Sequence, residues 1–412
     1  MRHCKIKNDD APSPPTGPAI NIMKILFFSP YFHPYISGLT QSPERVLTHL
    51  AKKNKVTVLT FPHQTDLKTK EFWRGMNIVR MPYWFKISKG YISPQSIIYF
   101  LNEVRNTDVV FINLPNAEGL MLAMLANLFR KKAISLFNCQ VDLGPGFFNP
   151  VINFVLNSAV FFQLFLSDTI IAYPDYIEHL NIGKIFKDKI RETLPIIETP
   201  RPNKTTLAAF QKEKGADVWI GFAGRIAREK GIEYLIEAVE SLRATTRHSG
   251  LLVLSLSNGP RIQLIFAGPP PSEVVGEDNY ARRLIKLLDT KHISYKFLGR
   301  LSEKDLSAFY KSIDVLILPS INRTEAFGMV QAEAMLHGTP VIATSLPGVR
   351  IAISQTKMGV LVEPKNTEQI ARAIENILKN KVEFTNADLI KKAKRFFNPK
   401  EIYRFYEEIV KR

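Results

Sequence analysis

Thr324-Glu325-Ala326-Phe327-Gly328-Met329-Val330-Gln331-Ala332-Glu333 sets two carboxylates eight positions apart, with Phe-Gly between them. The run before it, Asp314-Val-Leu-Ile-Leu-Pro-Ser320, is short and apolar, as a buried strand is, and the run after Ala326 has helical character. Glu325 therefore falls where strand hands over to helix. Glu333 is expected on that helix about 12 Å further along, at ~1.5 Å per residue. Between the two lie the unpaired N–H groups and positive dipole end of a helix N-terminus, a cradle for phosphate. A nucleotide sugar has that layout: sugar hydroxyls, a pyrophosphate, then ribose hydroxyls that a carboxylate accepts from. The plainer alternative is a solvated charge followed by a surface glutamate on an ordinary helix.

Upstream and downstream, the chain alternates short apolar runs with helical patterns, the rhythm of mainly parallel α/β sheets. Strands are expected at Ile25–Phe28, Val56–Thr60, Ile78–Met81, Asp108–Asn113, Ala133–Asn138 and Thr169–Tyr173, with helices at Pro43–Lys53 and Glu118–Arg130. Two prolines and a polar run mark a boundary at Pro195–Pro202. The rhythm then restarts, with strands at Val218–Ala223, Gln263–Ala267, Tyr295–Leu298, Val315–Leu318 and Val341–Thr344. Helices are expected at Ile232–Arg243, Tyr280–Asp289, Lys304–Lys311, Phe327–His337 and Thr367–Lys379. The expected domains are a disordered tail at 1–22, a Rossmann-like unit at 23–198, a second at 199–395, and a terminal helix at 396–412 that packs back on the first. In such sheets ligands bind beyond the carboxyl ends of the strands. That places the site in a cleft between the two units.

Two loops can line that cleft. Gly221-Phe-Ala-Gly224-Arg225-Ile-Ala-Arg228-Glu-Lys230-Gly231-Ile232 follows the second unit's first strand. Its glycines permit tight turns, and Arg225 and Lys230 place two cations ahead of a helix. The spacing is neither the dinucleotide Gly-x-Gly-x-x-Gly nor a Walker loop. In the first unit, Gly38 precedes Ser42-Pro43-Glu44, which reads as a helix cap, a first-turn proline and a first-turn acid.

At 412 residues the chain is too long for one ordinary core. Two cysteines, Cys4 and Cys139, build no disulfide framework and have no metal-ligand spacing, which fits a reducing cytoplasm. The most apolar segment, Phe147 to Ile171, is interrupted by polar residues and is read as a core or interfacial helix rather than a span. The net charge of +17 calls for an anionic partner. Residues 51–105 carry ten Lys and Arg against three acids, interleaved with Phe72, Trp73, Tyr83, Trp84, Phe85 and Tyr91. That mix fits an anionic membrane surface. No signature of nucleic-acid recognition accompanies it.

Gly224-Arg225…Lys230-Gly231, Phe297-Leu-Gly299, Pro319-Ser320, Glu325-x-Phe327-Gly328 and Glu333 together resemble the retaining GT-B glycosyltransferases of family 4. Gly338-Thr-Pro340-Val-Ile-Ala-Thr344 and Pro347-Gly348-Val349 resemble the same family. The resemblance runs from about Met23 to the C-terminus and is dense across 217–380. It implies a GT-B fold, two Rossmann-like doubly wound domains facing across a cleft, and front-face transfer of a hexose with retention and without a metal. By that resemblance Arg225 and Lys230 hold the donor pyrophosphate of a UDP- or GDP-sugar. Glu325 holds the sugar hydroxyls with the backbone N–H groups of Phe327, Gly328 and Met329, and Glu333 holds the ribose. Gly224 belongs to the phosphate loop, Leu298 and Gly299 contact the base, and Gly38 approaches the phosphates from the opposite domain.

Members often carry histidine where this chain has Asn138 at a first-domain strand end, and again at Asn113. Asn138 is the expected acceptor-side catalytic residue, able to bond a sugar hydroxyl but not to hold a proton. No Asp-x-Asp appears and the histidines do not cluster, so neither cofactor nor metal is expected. The implied acceptor is a glycan or a lipid-linked saccharide, met at the cytoplasmic face of a membrane. An inactive subunit that binds a partner and a nucleotide-sugar epimerase remain alternatives.

Overall fold

The computed structural model describes residues 22–87, 90–144, 146–249, 261–269 and 277–411. The expected tail (save Ile22), Cys4 and Lys89 lie outside the described residues. The first sheet holds β1 (Lys24–Phe28), β2 (Lys55–Thr60), β3 (Lys70–Trp73), β4 (Met76–Arg80), β7 (Val109–Leu114), β8 (Lys132–Phe137), β9 (Thr169–Ala172) and β10 (Ile190–Glu192). Its order is β10-β9-β8-β7-β1-β2-β4-β3, parallel throughout except for the antiparallel edge pair β3–β4. A separate hairpin joins β5 (Phe85–Ile87) to β6 (Gly90–Ile92). The second sheet holds β11 (Val218–Ala223), β12 (Ile262–Ala267), β13 (Ser294–Gly299), β14 (Val315–Leu318), β15 (Val341–Thr344) and β16 (Gly359–Val362), in the order β13-β12-β11-β14-β15-β16.

Both sheets are doubly wound. The order reverses between β1 and β7 in one and between β11 and β14 in the other, and such reversals open a crevice at the strands' carboxyl ends. The strands read as near-continuous apolar runs because both faces are covered. Every residue of β7, β14 and β15 is buried.

The segment after β10 leads into the helix Lys204–Lys214 of the second unit, and the chain returns at its end. The helix Pro399–Lys411 lays Ile402, Tyr406, Ile409 and Val410 into the core that contains Ile25, Phe27, Val46 and Leu47. Glu407 accepts from His49 at 2.9 Å and Lys53 at 3.2 Å, and His49 stacks on Tyr403 at 4.1 Å.

Three expectations are corrected here. The helix expected at Pro43–Lys53 runs over Gly38–Leu50 and contains Pro43. Its start is set by Ser37 and Thr40: the Ser37 N–H donates to Thr40 Oγ1 at 3.0 Å, and the hydroxyls lie 3.2 Å apart. Ser42 is therefore not a cap; its hydroxyl accepts from the Ile196 N–H at 3.1 Å. The apolar segment after Phe147 forms the helix Asn149–Leu166, which packs Val160 and Leu164 on the core but is no core helix, because most of its hydrocarbon faces outward. The basic and aromatic stretch is not a uniform surface either. Arg80 is 2% exposed and donates to Glu71 and to the Lys68 and His33 carbonyls, and Trp73 stacks on His33 at 3.7 Å.

Candidate active site

The loop after β11 brings its cations to the cleft by different routes. Residues Arg228–Lys230 make one turn of 3₁₀ helix, closed by Gly231 in the left-handed conformation at φ 59°. A β-carbon at Gly231 would stand 2.5 Å from the Pro319 carbonyl, so only glycine lets this loop lie against the end of β14. The close approach sets the Lys230 ammonium on the Glu325 carboxylate, which also accepts from the Ser320 hydroxyl at 3.1 Å. Both side chains of the pair are largely buried, 18% and 15% exposed. Arg225 lies at the rim and bonds Glu229 at 2.9 Å, and Arg228 pairs with Glu277 at 3.7 Å.

Glu325 and Glu333 are not on one helix. Gly328 takes φ 74° and the helix starts at Met329, ending at Leu336. A β-carbon on Gly328 would meet Leu318 at 2.4 Å. The chain thus folds back tightly over the end of β14, and only Met329 to Glu333 advances helically, about 6 Å at ~1.5 Å per residue rather than 12. This helix begins four residues after Glu325, with its first N–H groups short of intrahelical partners, while Phe327 is buried.

Glu333 lies deeper, 8% exposed, and accepts from the Tyr310 hydroxyl at 2.7 Å. Burial pushes its carboxyl above the ordinary range, with the Tyr310 bond pulling the other way. It faces Gln41 and Arg45 of the first domain across a void of about 20 Å³. That is room for one water and too little for a ribose ring. Arg45 spans the gap, donating to the Ile196 carbonyl at 3.0 Å and to Glu303 at 3.1 Å.

The strand ends of the second domain are paved with glycine. Gly224 donates to the Ala267 carbonyl at 2.8 Å and Gly268 to the Gly299 carbonyl at 3.0 Å. A β-carbon on Gly268 would stand 2.0 Å from the Gly224 carbonyl. Gly299 has φ 70° with open space around it, and Leu298 packs behind it on the core. The sequence reading missed Gly268, although a glycine directly after a strand is the signal that flags such a floor.

On the first-domain side Gly38 opens the helix, and no atom lies within 4 Å of where its β-carbon would stand. Asn113 and Asn138 behave differently from what the resemblance implies. Pro43 has no N–H to give the Leu39 carbonyl four residues back, and the Asn113 amide supplies it at 3.1 Å while also donating to Ser29 at 3.1 Å. Asn138 donates to Asn113 at 2.8 Å and to the Leu114 carbonyl at 2.7 Å, and it accepts from the Tyr173 hydroxyl at 3.2 Å. Both asparagines are buried and committed to the protein. Tyr173 in turn packs on Phe327, ring centres 5.7 Å apart, so this network touches the Glu-x-Phe-Gly turn across the cleft.

Four further contacts bridge the domains. The Asp175 carboxylate accepts from Arg350 at 2.8 Å and from the Gly348 N–H at 2.7 Å. The Tyr176 hydroxyl donates to the Arg323 carbonyl at 2.9 Å, and the Arg350 guanidinium donates to His179 at 2.8 Å. Among the described residues no three His, Cys, Asp or Glu side chains gather as a metal site would require.

A buried Lys–Glu pair beside an open helix N-terminus, above a glycine floor, can take a phosphate at one end and hydroxyls at the other. The family model described as "Glycosyl transferases group 1" matches residues 203–396. An uncharacterized glycosyltransferase of Methanocaldococcus jannaschii is 34% identical over 157 residues, 38% of this chain and 35% of that protein. A D-inositol 3-phosphate glycosyltransferase of Corynebacterium urealyticum is 30% identical over 159 residues, 39% of this chain and 34% of that one. These matches span about a third of the relatives' length. Sucrose-phosphate synthase from Thermosynechococcus elongatus superposes with a TM-score of 0.73 at 19% identity, over 94% of this chain and 98% of that one. Anabaena HepE, solved with UDP-glucose, gives 0.72 at 17%, over 94% and 99%. At these identities the likeness to solved structures speaks to fold alone. Residues 203–396 thus match the glycosyl transferases group 1 family model, and the two facing domains have the GT-B fold.

Proposed function

We propose that this protein is a retaining, metal-independent glycosyltransferase. It takes a hexose from a UDP- or GDP-sugar and gives it to a glycan or lipid-linked acceptor at the cytoplasmic face of a membrane, in surface polysaccharide or glycolipid assembly. The observation that carries the reading is the Lys230–Glu325 pair, held by Gly231 and Ser320 beside the open N-terminus of the helix Met329–Leu336. Without donor the two charges neutralise each other. With donor, Lys230 turns to the diphosphate and Glu325 accepts from the sugar hydroxyls, so the site exchanges one set of charge partners for another. Arg225, at the rim, closes on the phosphates. In the transfer the bond from the sugar's anomeric carbon to the phosphate oxygen breaks, and the acceptor oxygen bonds the same face. The acceptor's proton passes to the departing phosphate. Lys230 and Arg225 stabilise the charge growing on that group.

Asn138 is reassigned from a group touching sugar to one that fixes the first-domain wall through Asn113 and Tyr173. The reading is tested by thermal shift against UDP, GDP, ADP and their sugar conjugates. Stabilisation by one nucleotide, lost in Glu333→Ala, is expected. No shift with any of them removes the transferase reading and leaves a catalytically inactive GT-B subunit.

A further inference from the structure

The helix Asn149–Leu166 carries its polarity inside out. Asn149, Asn153 and Asn157 share one face and turn to the protein. Asn149 donates to the Leu143 and Gly144 carbonyls at 3.1 and 3.2 Å, and Asn153 accepts from the Leu143 N–H at 3.1 Å. Asn157 holds Val141 by its N–H and its carbonyl, at 3.2 and 3.0 Å, and buried Gln163 reaches the Asn116 carbonyl at 2.6 Å. The hydrocarbon points the other way: Val151, Phe154, Val155, Phe162 and Phe165 are 55–73% exposed. Phe147 and Phe148 extend the face at one end. Met124 and Leu128 of the helix Gly119–Leu128 extend it sideways, tied in by Asn127 donating to the Leu166 carbonyl at 2.6 Å.

A surface helix in water has the opposite arrangement, and a contiguous apolar face of this kind marks a contact. It is not a general property of the chain. Among the described residues every exposed large apolar side chain except Ile22 and Val382 belongs to the first domain. The helix itself has no charged residue, and one cation, Lys189, is placed at its edge. Lys189 donates to the Phe165 carbonyl at 2.7 Å with its ammonium 5.6 Å from the ring centre, and Arg130, Lys184 and Lys187 are exposed nearby in the chain. Apolar face with basic margin is complementary to acyl chains under anionic headgroups.

We propose that this face docks into an anionic lipid bilayer, with the helix lying in the plane of the headgroup–acyl boundary. At 18 residues it is long enough to cross a membrane, but Val160 and Leu164 are packed in the first-domain core and the asparagines hold the loop at 141–144. Crossing would tear all of these out. The helix begins past the carboxyl end of β8, at the cleft edge, and runs about 27 Å away from it at ~1.5 Å per residue. Docked so, the cleft opens beside the bilayer, and a lipid-linked acceptor arrives sideways with its lipid still in the membrane. That consequence rests on the transferase reading; the docking itself does not.

The full chain is floated with vesicles of phosphatidylcholine alone and of phosphatidylcholine with phosphatidylglycerol. Flotation with the anionic vesicles is expected. The combined variant Phe154→Ser, Phe162→Ser, Phe165→Ser should lose at least about tenfold of the bound fraction and keep its nucleotide-induced melting shift. In the variant Phe162→Trp, indole emission should move to the blue on vesicle addition and be quenched by brominated acyl chains. The proposal falls if the triple variant floats like the parent, or if the emission of Phe162→Trp is neither shifted nor quenched. It falls equally if the parent resists carbonate extraction as a spanning protein does, or if it forms a dimer that the triple variant dissolves without any vesicle binding. Flotation without a nucleotide shift would remove the transferase reading alone, and a shift without flotation would remove docking alone.

Discussion

Lys230 and Glu325 are each other's counter-ion in a place that excludes most water, and under the proposed function a donor replaces that arrangement on both sides. Removing either alone strands a charge. Lys230→Ala and Glu325→Ala should therefore each lower stability, while the double variant recovers part of the loss. A double-mutant cycle by chemical denaturation should give a coupling of about 1–3 kcal/mol. Each single change should also cut transfer at least ~100-fold, as loss of one group aimed at developing charge does, and the double variant should lose little more. Near-parental turnover in either single variant would displace the pair from the chemistry. Gly231 belongs to the same unit: with φ 59° and the Pro319 carbonyl where a β-carbon would go, Gly231→Ala should swing Lys230 off Glu325 and mimic its loss.

The helix Gly38–Leu50 shows how an element can hide a compensation in a distant residue. Its proline at position 43 leaves the Leu39 carbonyl short of a donor, and Asn113, at the end of β7, fills the place. Asn113→Ala should cost about 1 kcal/mol or more in thermal or chemical denaturation. In a Pro43→Ala background, where residue 43 has its own N–H to give, the cost should shrink; an unchanged cost would refute the compensation. This is also where the sequence stops being legible. Strand positions and the donor-side loops could be read because they depend on local apolar runs and on glycines at strand ends. Asn113 and Asn138 stood in the right places to face a sugar, and nothing local tells that their amides are spent on Leu39, Ser29 and Leu114, tens of residues away. Ser42-Pro43-Glu44 had the composition of a helix start, yet Ser37 and Thr40 cap the turn before it. The edge strands β3 and β16 and the three-residue strands β5, β6 and β10 are missing from the sequence reading.

At the scale of the whole molecule, the two domains are held against each other by Asp175 on Arg350 and Gly348, while the void at Glu333 is too small for a ribose. Burial raises the Asp175 carboxyl and the bonds from Arg350 and Gly348 outweigh it, leaving the group below its usual range. A depressed carboxyl stabilises above its unfolded pKa and loses that contribution as pH falls through the folded one. Asp175→Asn should thus melt below the parent at pH 7, and the gap should narrow as pH drops below about 4. His179 and Glu178 also face Arg350 and are unchanged in this comparison. A gap that stays constant from pH 7 to 3 would mean the carboxylate's charge is not what holds the bridge. The return of the last helix has a different consequence, for the order in which the molecule is made. Ile402, Tyr406, Ile409 and Val410 complete a core that begins with Ile25 and Phe27. A chain emerging from the ribosome folds whatever is already complete, so the second domain can close on itself while the first still waits for residues at the far end. The part of the protein translated first is finished last, and through synthesis its unfilled core is the surface that needs shelter.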